Sequence, residues 1–181
     1  MAILAGDALL TDAFCVASTA KLTGRKMADA IGILAECAGS LGMVGGQVLD
    51  IMSEERLCTE QEVIDIQIRK TGALIKAACV LGTIAGGGTD AQIEAAAKFA
   101  NDLGMAFQIR DDILDVISTG ETLGKTPGKD SDENKTTFVD LLGMDGAQKE
   151  VQRLTDLALS LLDKFPNSAF LRELTIRMCG R

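Results

Sequence analysis

Histidine, tryptophan and tyrosine are absent from this chain of 181 residues, and six phenylalanines supply all of its aromatic content. Without histidine there is no Ser-His-Asp or Cys-His nucleophile, no imidazole zinc ligand and no Glu-x-x-His di-iron bundle. Chemistry is left to Asp, Lys, Arg, Gln and Thr. With only two prolines and 47% hydrophobic residues, the chain is neither disordered nor dominated by loops. Basic clusters are missing as well. The 18 Lys and Arg against 26 Asp and Glu give a net charge of −8, and the only adjacent pairs are Arg25-Lys26 and Arg69-Lys70. That balance argues against a nucleic-acid surface.

Five cysteines (Cys15, Cys37, Cys58, Cys79 and Cys179) form no C-x-x-C pair and are odd in number, which reads as reduced core cysteine in a cytoplasmic protein. Met1 leads into Ala-Ile-Leu with no basic leader or cleavage site. Glu36 and Lys76 interrupt the longest apolar runs, which read as shorter than the roughly 18 to 20 residues of a membrane span. Alternating strand patterns are also lacking, so the fold class is all-α.

What is present is helical. Residues 2–20 read as a helix that starts without a capping residue. A long helix is expected over about 25–53, although Gly39, Gly42, Gly45 and Gly46 each cost about 1 kcal/mol relative to Ala. Glycines there would be tolerated where another backbone or a ligand approaches. Thr59-Glu60-Gln61-Glu62 is a capping box opening a helix through Cys79 or beyond, and Thr89-Asp90-Ala91-Gln92 opens the next. Residues 118–136 read as one long loop, followed by helices at about 145–164 and 168–179.

The chain is organised around residues 103–117. On a helix, Gln108, Asp111, Asp112 and Asp115 share a narrow arc, while Phe107, Ile109, Ile113, Leu114, Val116 and Ile117 cover the remainder. Three carboxylates on one stripe repel one another and resist burial, so they call for counter-charge. Oxygen-only ligands suit Mg²⁺, which takes one or two carboxylates together with water and substrate phosphate. A solvated acidic face is the plain alternative. Lys125, Lys129 and Lys135, with Asp130, lie among glycines in the long loop and would suit a diphosphate. Lys70 and Thr71 lie mid-helix in an apolar segment, where the lysine either extends to water or meets an anion. Gln47 and Asp50, three residues apart, face either a bundle centre or solvent.

These stretches resemble a known family. Phe107-Gln108-Ile109-Arg110-Asp111-Asp112-Ile113-Leu114-Asp115 is similar to the second aspartate-rich motif of the trans-isoprenyl diphosphate synthases, the farnesyl and geranylgeranyl type. The blocks Ala5–Leu10, Gly42–Asp50, Lys70–Leu74 and Leu123 through Asp130 to Thr136 resemble family blocks in family order, so the resemblance covers essentially the whole chain.

It implies an isoprenoid-synthase helical bundle, a homodimer, in which Mg²⁺ assists ionisation of an allylic diphosphate and isopentenyl diphosphate attacks the resulting cation. By the same resemblance, Asp111 and Asp115 bind Mg²⁺ with Asp112 close by and Asp50 near the cluster. Lys70 and Lys125 hold the allylic diphosphate, Gln108 and Thr71 lie near the developing cation, Gln47 lines the cavity, and Lys135 sits near the diphosphates. The first aspartate-rich motif, its paired arginines and the Gly-Lys-x-x-Arg site of the family do not occur among these residues. The expectation is therefore a single helical domain over 1–181, the C-terminal portion of a synthase lacking its N-terminal helices, or else a non-catalytic homologue that binds and regulates a complete synthase. The isolated chain is expected to show little or no turnover with radiolabelled isopentenyl diphosphate, an allylic diphosphate and Mg²⁺; robust product formation would refute this.

Overall fold

A computed structural model describes residues 1–54, 56–121 and 136–180, with side chains described outside 118–121. The described residues are helical throughout their ordered elements, as expected. Helix α1 is Ala2–Thr19, α2 is Gly24–Ala38, α3 is Met43–Ser53 and α4 is Glu60–Gln67. A π-helical turn over Ile68–Gly72 joins α4 to α5, Ala73–Ala85. Then come α6, Asp90–Glu121; α7, Phe138–Leu161; and α8, Ala169–Cys179, reached through a 3₁₀ turn at Leu162–Lys164.

Local chemistry explains most boundaries. Thr59 accepts from the Glu62 N–H while the Glu62 side chain accepts from the Thr59 N–H, the reciprocal box that opens α4. Thr89 and Gln92 make the same exchange before α6. Three expectations change. The helix expected over 25–53 is two helices, because the chain turns at Gly39–Gly42, where the Gly42 backbone (φ −114, ψ −124) leaves the helical region. The helix expected from 145 begins at Phe138, opened by a Thr137–Asp140 capping box and kinked at Gly143 (φ 69). Residues 118–121 of the expected loop belong to α6, and 122–135 lie outside the described residues.

The core is built on α6. Phe99, Leu103, Ala106, Ile109 and Ile113 recur every three or four residues and are buried against Ala147, Val151, Leu154 and Ala158 of α7. Val63 of α4, Phe138, Leu162 and Cys179 close the same cluster. All five cysteines are free; Cys37, Cys58 and Cys179 are buried as expected, whereas Cys15 is exposed.

Helix α1 stands apart, with no buried residue and with Ile3 81%, Leu9 70% and Val16 70% exposed. The apolar runs are also longer than the sequence reading allowed. Ala2–Thr19 and Gly24–Ser53 each reach a mean hydropathy of 1.4, sufficient by length and composition to cross a bilayer. Core helices of globular proteins meet the same criterion, and the second segment is broken at its glycine turn and contributes buried residues such as Leu34 and Asp50.

The opening of α4 depends on pH. Hydrogen bonds from Arg56 and then from Thr59 hold the Glu62 carboxyl down at about 2 from its ordinary 4.5. A depressed carboxyl contributes stability above its unfolded value and loses it as pH falls through the folded one. Between pH 4.5 and 2, the protection factors of the Glu62 and Val63 amides, taken against the intrinsic exchange rate at each pH, are therefore expected to fall progressively. A Glu62→Gln variant should show a flatter profile; equal slopes in the two proteins would refute the assignment.

Candidate functional site

Two ladders of polar contacts meet at the π-helical turn. On one side the Lys70 ammonium lies 2.6 Å from Oδ2 of Asp50 on α3. Asp50 is 8% exposed, while the Lys70 side chain is only half-buried. On the other side the Thr71 hydroxyl donates to Oε1 of Gln108 at 3.3 Å. Gln108 Nε2 donates to Oδ1 of Asp112 at 3.1 Å. Oδ2 of Asp112 accepts from the Phe138 N–H, the first of α7, at 2.9 Å. Adjacent residues of one turn thus tie α3 to α6, and α6 to the start of α7.

The turn is where it is because two glycines let it in. A Cβ on Gly46 of α3 would stand 2.2 Å from the Lys70 backbone nitrogen, and one on Gly104 of α6 would stand 3.3 Å from the Gly72 Cα. The Arg69 guanidinium adds a strut, donating to the Leu41 carbonyl at 3.3 Å. π-turns inside α-helices occur frequently at functional sites, since the wider ring re-aims the side chains that follow.

Asp111 and Asp115 complete the stripe. Asp111 is half-buried and Asp115 exposed at the same end of α6. Burial, and then the Asp115 charge beside it, push the Asp111 carboxyl above its ordinary 3.8. Burial raises Asp112 too, opposed by the Phe138 and Gln108 hydrogen bonds and reinforced by its two acidic neighbours. Burial is the larger cause at both residues, and a cation at the stripe would relieve what the acidic neighbours add to it. No three acidic or cysteine groups among the described residues already form a cluster that could hold a metal ion. The donors nonetheless fit Mg²⁺, an ion that binds through one or two carboxylates and completes its shell with water and phosphate oxygens.

Of the residues singled out in the sequence, Asp50, Lys70, Thr71, Gln108 and Asp112 are joined directly, and Asp111 and Asp115 lie on the same stripe. Gln47 is exposed on α3, and Lys125, Lys129, Asp130 and Lys135 lie outside the described residues. The Phe138 N–H carries no local signal; Gly46 reads in the sequence as room for a backbone or ligand, but which neighbour it admits emerges only from packing. Arg110 turns toward the inner side of α6, where its Nε is buried without a partner and its charge reaches Cys179.

Comparison with known proteins shows the family. The polyprenyl synthetase family matches residues 1–164. The chain belongs to that family. Over 168 residues it is 42% identical to a chloroplastic geranylgeranyl pyrophosphate synthase of Catharanthus roseus, covering 91% of this chain and 47% of the relative. Over 149 residues it is 46% identical to the farnesyl diphosphate synthase of Micrococcus luteus, covering 82% and 51%. An FPP/GFPP synthase from Zymomonas mobilis superposes with a TM-score of 0.81 at 31% identity, over 98% of this chain and 60% of the other. A geranyltransferase from Helicobacter pylori, complexed with magnesium and isoprenyl diphosphate, gives 0.73 at 32%, over 98% and 58%. The chain thus spans about half the length of the curated relatives it matches, and it carries the helical fold of this polyprenyl synthetase family.

The cradle makes a direct prediction. Gly46→Ala must displace the Lys70 backbone and should destabilise the chain by at least about 1–3 kcal/mol, the range for overpacking. Gly82→Ala, where a Cβ meets nothing within 4 Å, should instead stabilise it by up to about 1 kcal/mol. Urea titration followed by circular dichroism distinguishes the two; a neutral Gly46→Ala would remove the cradle from the account.

Proposed function

We propose that this chain supplies the metal- and diphosphate-binding wall of a prenyltransferase that condenses isopentenyl diphosphate with an allylic diphosphate. The observation that carries this reading is the convergence of Lys70, Thr71, Gln108 and the Asp111–Asp115 stripe at one end of α6, in a member of a family whose relatives include farnesyl and geranylgeranyl synthases.

In this reading Asp111 and Asp115 hold Mg²⁺, with Asp112 and Asp50 beside them. Bound there, Mg²⁺ would neutralise charge developing on the leaving diphosphate. The Lys70 ammonium binds the same diphosphate, exchanging its contact with Asp50 for phosphate oxygens. Lys125 and Lys135, from outside the described residues, join it, and Gln47 lines the approach. The Gln108 carbonyl oxygen and the Thr71 oxygen present negative dipole ends to the allylic cation as it forms. None of these groups moves a proton on the allylic substrate. Their work is electrostatic and positional.

The chain in this reading acts in the cytoplasm and pairs with a second copy, in keeping with the apolar surface that α1 exposes. The same exposed helix, with the partial coverage of the relatives, favours one second reading: a non-catalytic homologue that binds and regulates a complete synthase. Mixing the chain with the Micrococcus luteus synthase and measuring that enzyme's turnover and elution volume tells the two apart.

Isothermal titration of the chain with inorganic diphosphate should show binding that requires Mg²⁺. Asp111→Asn, Asp115→Asn and Lys70→Ala should each weaken it by about tenfold or more, the loss of one charge-assisted contact or more. Binding that is indifferent to Mg²⁺, or to all three substitutions, would leave the acidic stripe as solvated surface.

A further inference from the structure

Asp112 differs from its acidic neighbours in what its two oxygens face. Oδ1 accepts from Gln108 Nε2 at 3.1 Å and Oδ2 from the Phe138 N–H at 2.9 Å. An ionised carboxylate only accepts, whereas a glutamine amide has one donating and one accepting end. With Asp112 beside it, Gln108 must turn its NH₂ toward Asp112 and its carbonyl oxygen toward Thr71, whose hydroxyl donates at 3.3 Å. The opposite amide orientation would set oxygen against oxygen. The Phe138 N–H is one of the donors at the start of α7 that have no partner within the helix, and a carboxylate there also meets the positive end of the helix dipole.

We propose that Asp112 is a positioning residue: it fixes the orientation of the Gln108 amide and fastens it to the first turn of α7, while Asp111 and Asp115 are left to bind the cation. Why that orientation matters rests on the prenyl-transfer reading, because it directs the Gln108 carbonyl oxygen to the Thr71 side of the site. The direction of the hydrogen-bond chain does not depend on that reading.

A substitution that keeps the shape and removes one acceptor tests this. In Asp112→Asn a single amide oxygen has to serve two donors. The Phe138 N–H belongs to the backbone and cannot turn round; the Gln108 amide can. Amide proton exchange at Phe138 should therefore stay within about threefold of the parent chain, while the Gln108 side-chain NH₂ loses its NOEs to the Hβ protons of residue 112 and gains them to the Thr71 methyl. In Asp112→Ala, Phe138 exchange should accelerate about tenfold or more, the worth of one buried hydrogen bond. Unmoved Gln108 NOEs in Asp112→Asn, or unchanged Phe138 exchange in a folded Asp112→Ala, would overturn the proposal. If the alanine variant fails to fold, the asparagine variant decides by itself.

A metal arm separates this role from ligation. With inorganic diphosphate present, Asp112→Asn should bind Mn²⁺ within about threefold of the parent, and Asp111→Asn about tenfold or more weakly. Equal losses in both variants would make Asp112 a ligand and overturn the assignment. A parent chain that binds no Mn²⁺ would overturn the prenyl-transfer reading, and the NOE pattern would still support or overturn the positioning role.

Discussion

The rotation of α6 about its own axis governs the rest of the site. Ala106, Ile109 and Ile113 are at most 1% exposed, so this face cannot turn without opening the core. At about 100° per residue, the centre of that face lies nearly opposite the centre of the stripe made by Gln108, Asp111, Asp112 and Asp115. Apolar packing therefore aims the carboxylates, and the carboxylates need contribute nothing to stability to be held in place. Within the stripe, Asp112 lies on the edge nearer Ile109, which is the edge that α7 approaches, and Asp111 lies on the far edge. The different surroundings of two adjacent aspartates follow from that single angle.

The second element, the π-helical turn, solves a problem of reach. A continuous α-helix through 60–85 would project successive side chains 100° apart from a straight axis. The wider turn at Ile68–Gly72 lets Lys70 meet α3 while Thr71 meets α6. Such a turn has poorer backbone hydrogen bonding and persists because its surroundings hold it. Here the surroundings are Gly46 and Gly104, the two places where flanking helices come close enough to fix the Lys70 and Gly72 backbone. Small residues in α3, costly to helix propensity when viewed alone, become intelligible as space for a neighbour.

How much of this was legible in the sequence follows from the range over which each signal acts. The Thr59–Glu62 and Thr89–Gln92 boxes close over three residues, and both helix starts were readable. The Thr137–Asp140 box closes over the same distance but follows a long polar stretch, so the helix start was placed too late, after the Gly143 kink. The stripe of α6 was legible because its period is internal to one helix. The Asp50–Lys70 pair spans 20 residues and Thr71–Gln108 spans 37, and no local pattern announces either. Family resemblance named those residues, but only packing shows which of them touch. The break at Gly39–Gly42 has a related reason: four glycines within eight residues read as room for another backbone or a ligand, which holds for Gly46, whereas Gly39 and Gly42 mark the turn itself.

The charge balance constrains the order in which ligands can arrive. Among the described residues the site presents Asp50, Asp111, Asp112 and Asp115 against Lys70, and the one ammonium is already paired with Asp50. In the proposed reading the carboxylates by themselves disfavour a bare diphosphate, the more so where partial burial lowers the local dielectric. A diphosphate accompanied by a divalent cation would instead be drawn to Asp111 and Asp115, easing the repulsion that adds to burial in raising the Asp111 carboxyl. In that reading Lys70 leaves Asp50 for phosphate at little net cost, because one anionic partner is exchanged for another. In the proposed reading the stripe thus favours the metal–diphosphate complex over a bare diphosphate, and the repulsion among its carboxylates, a liability without the cation, becomes the source of that preference.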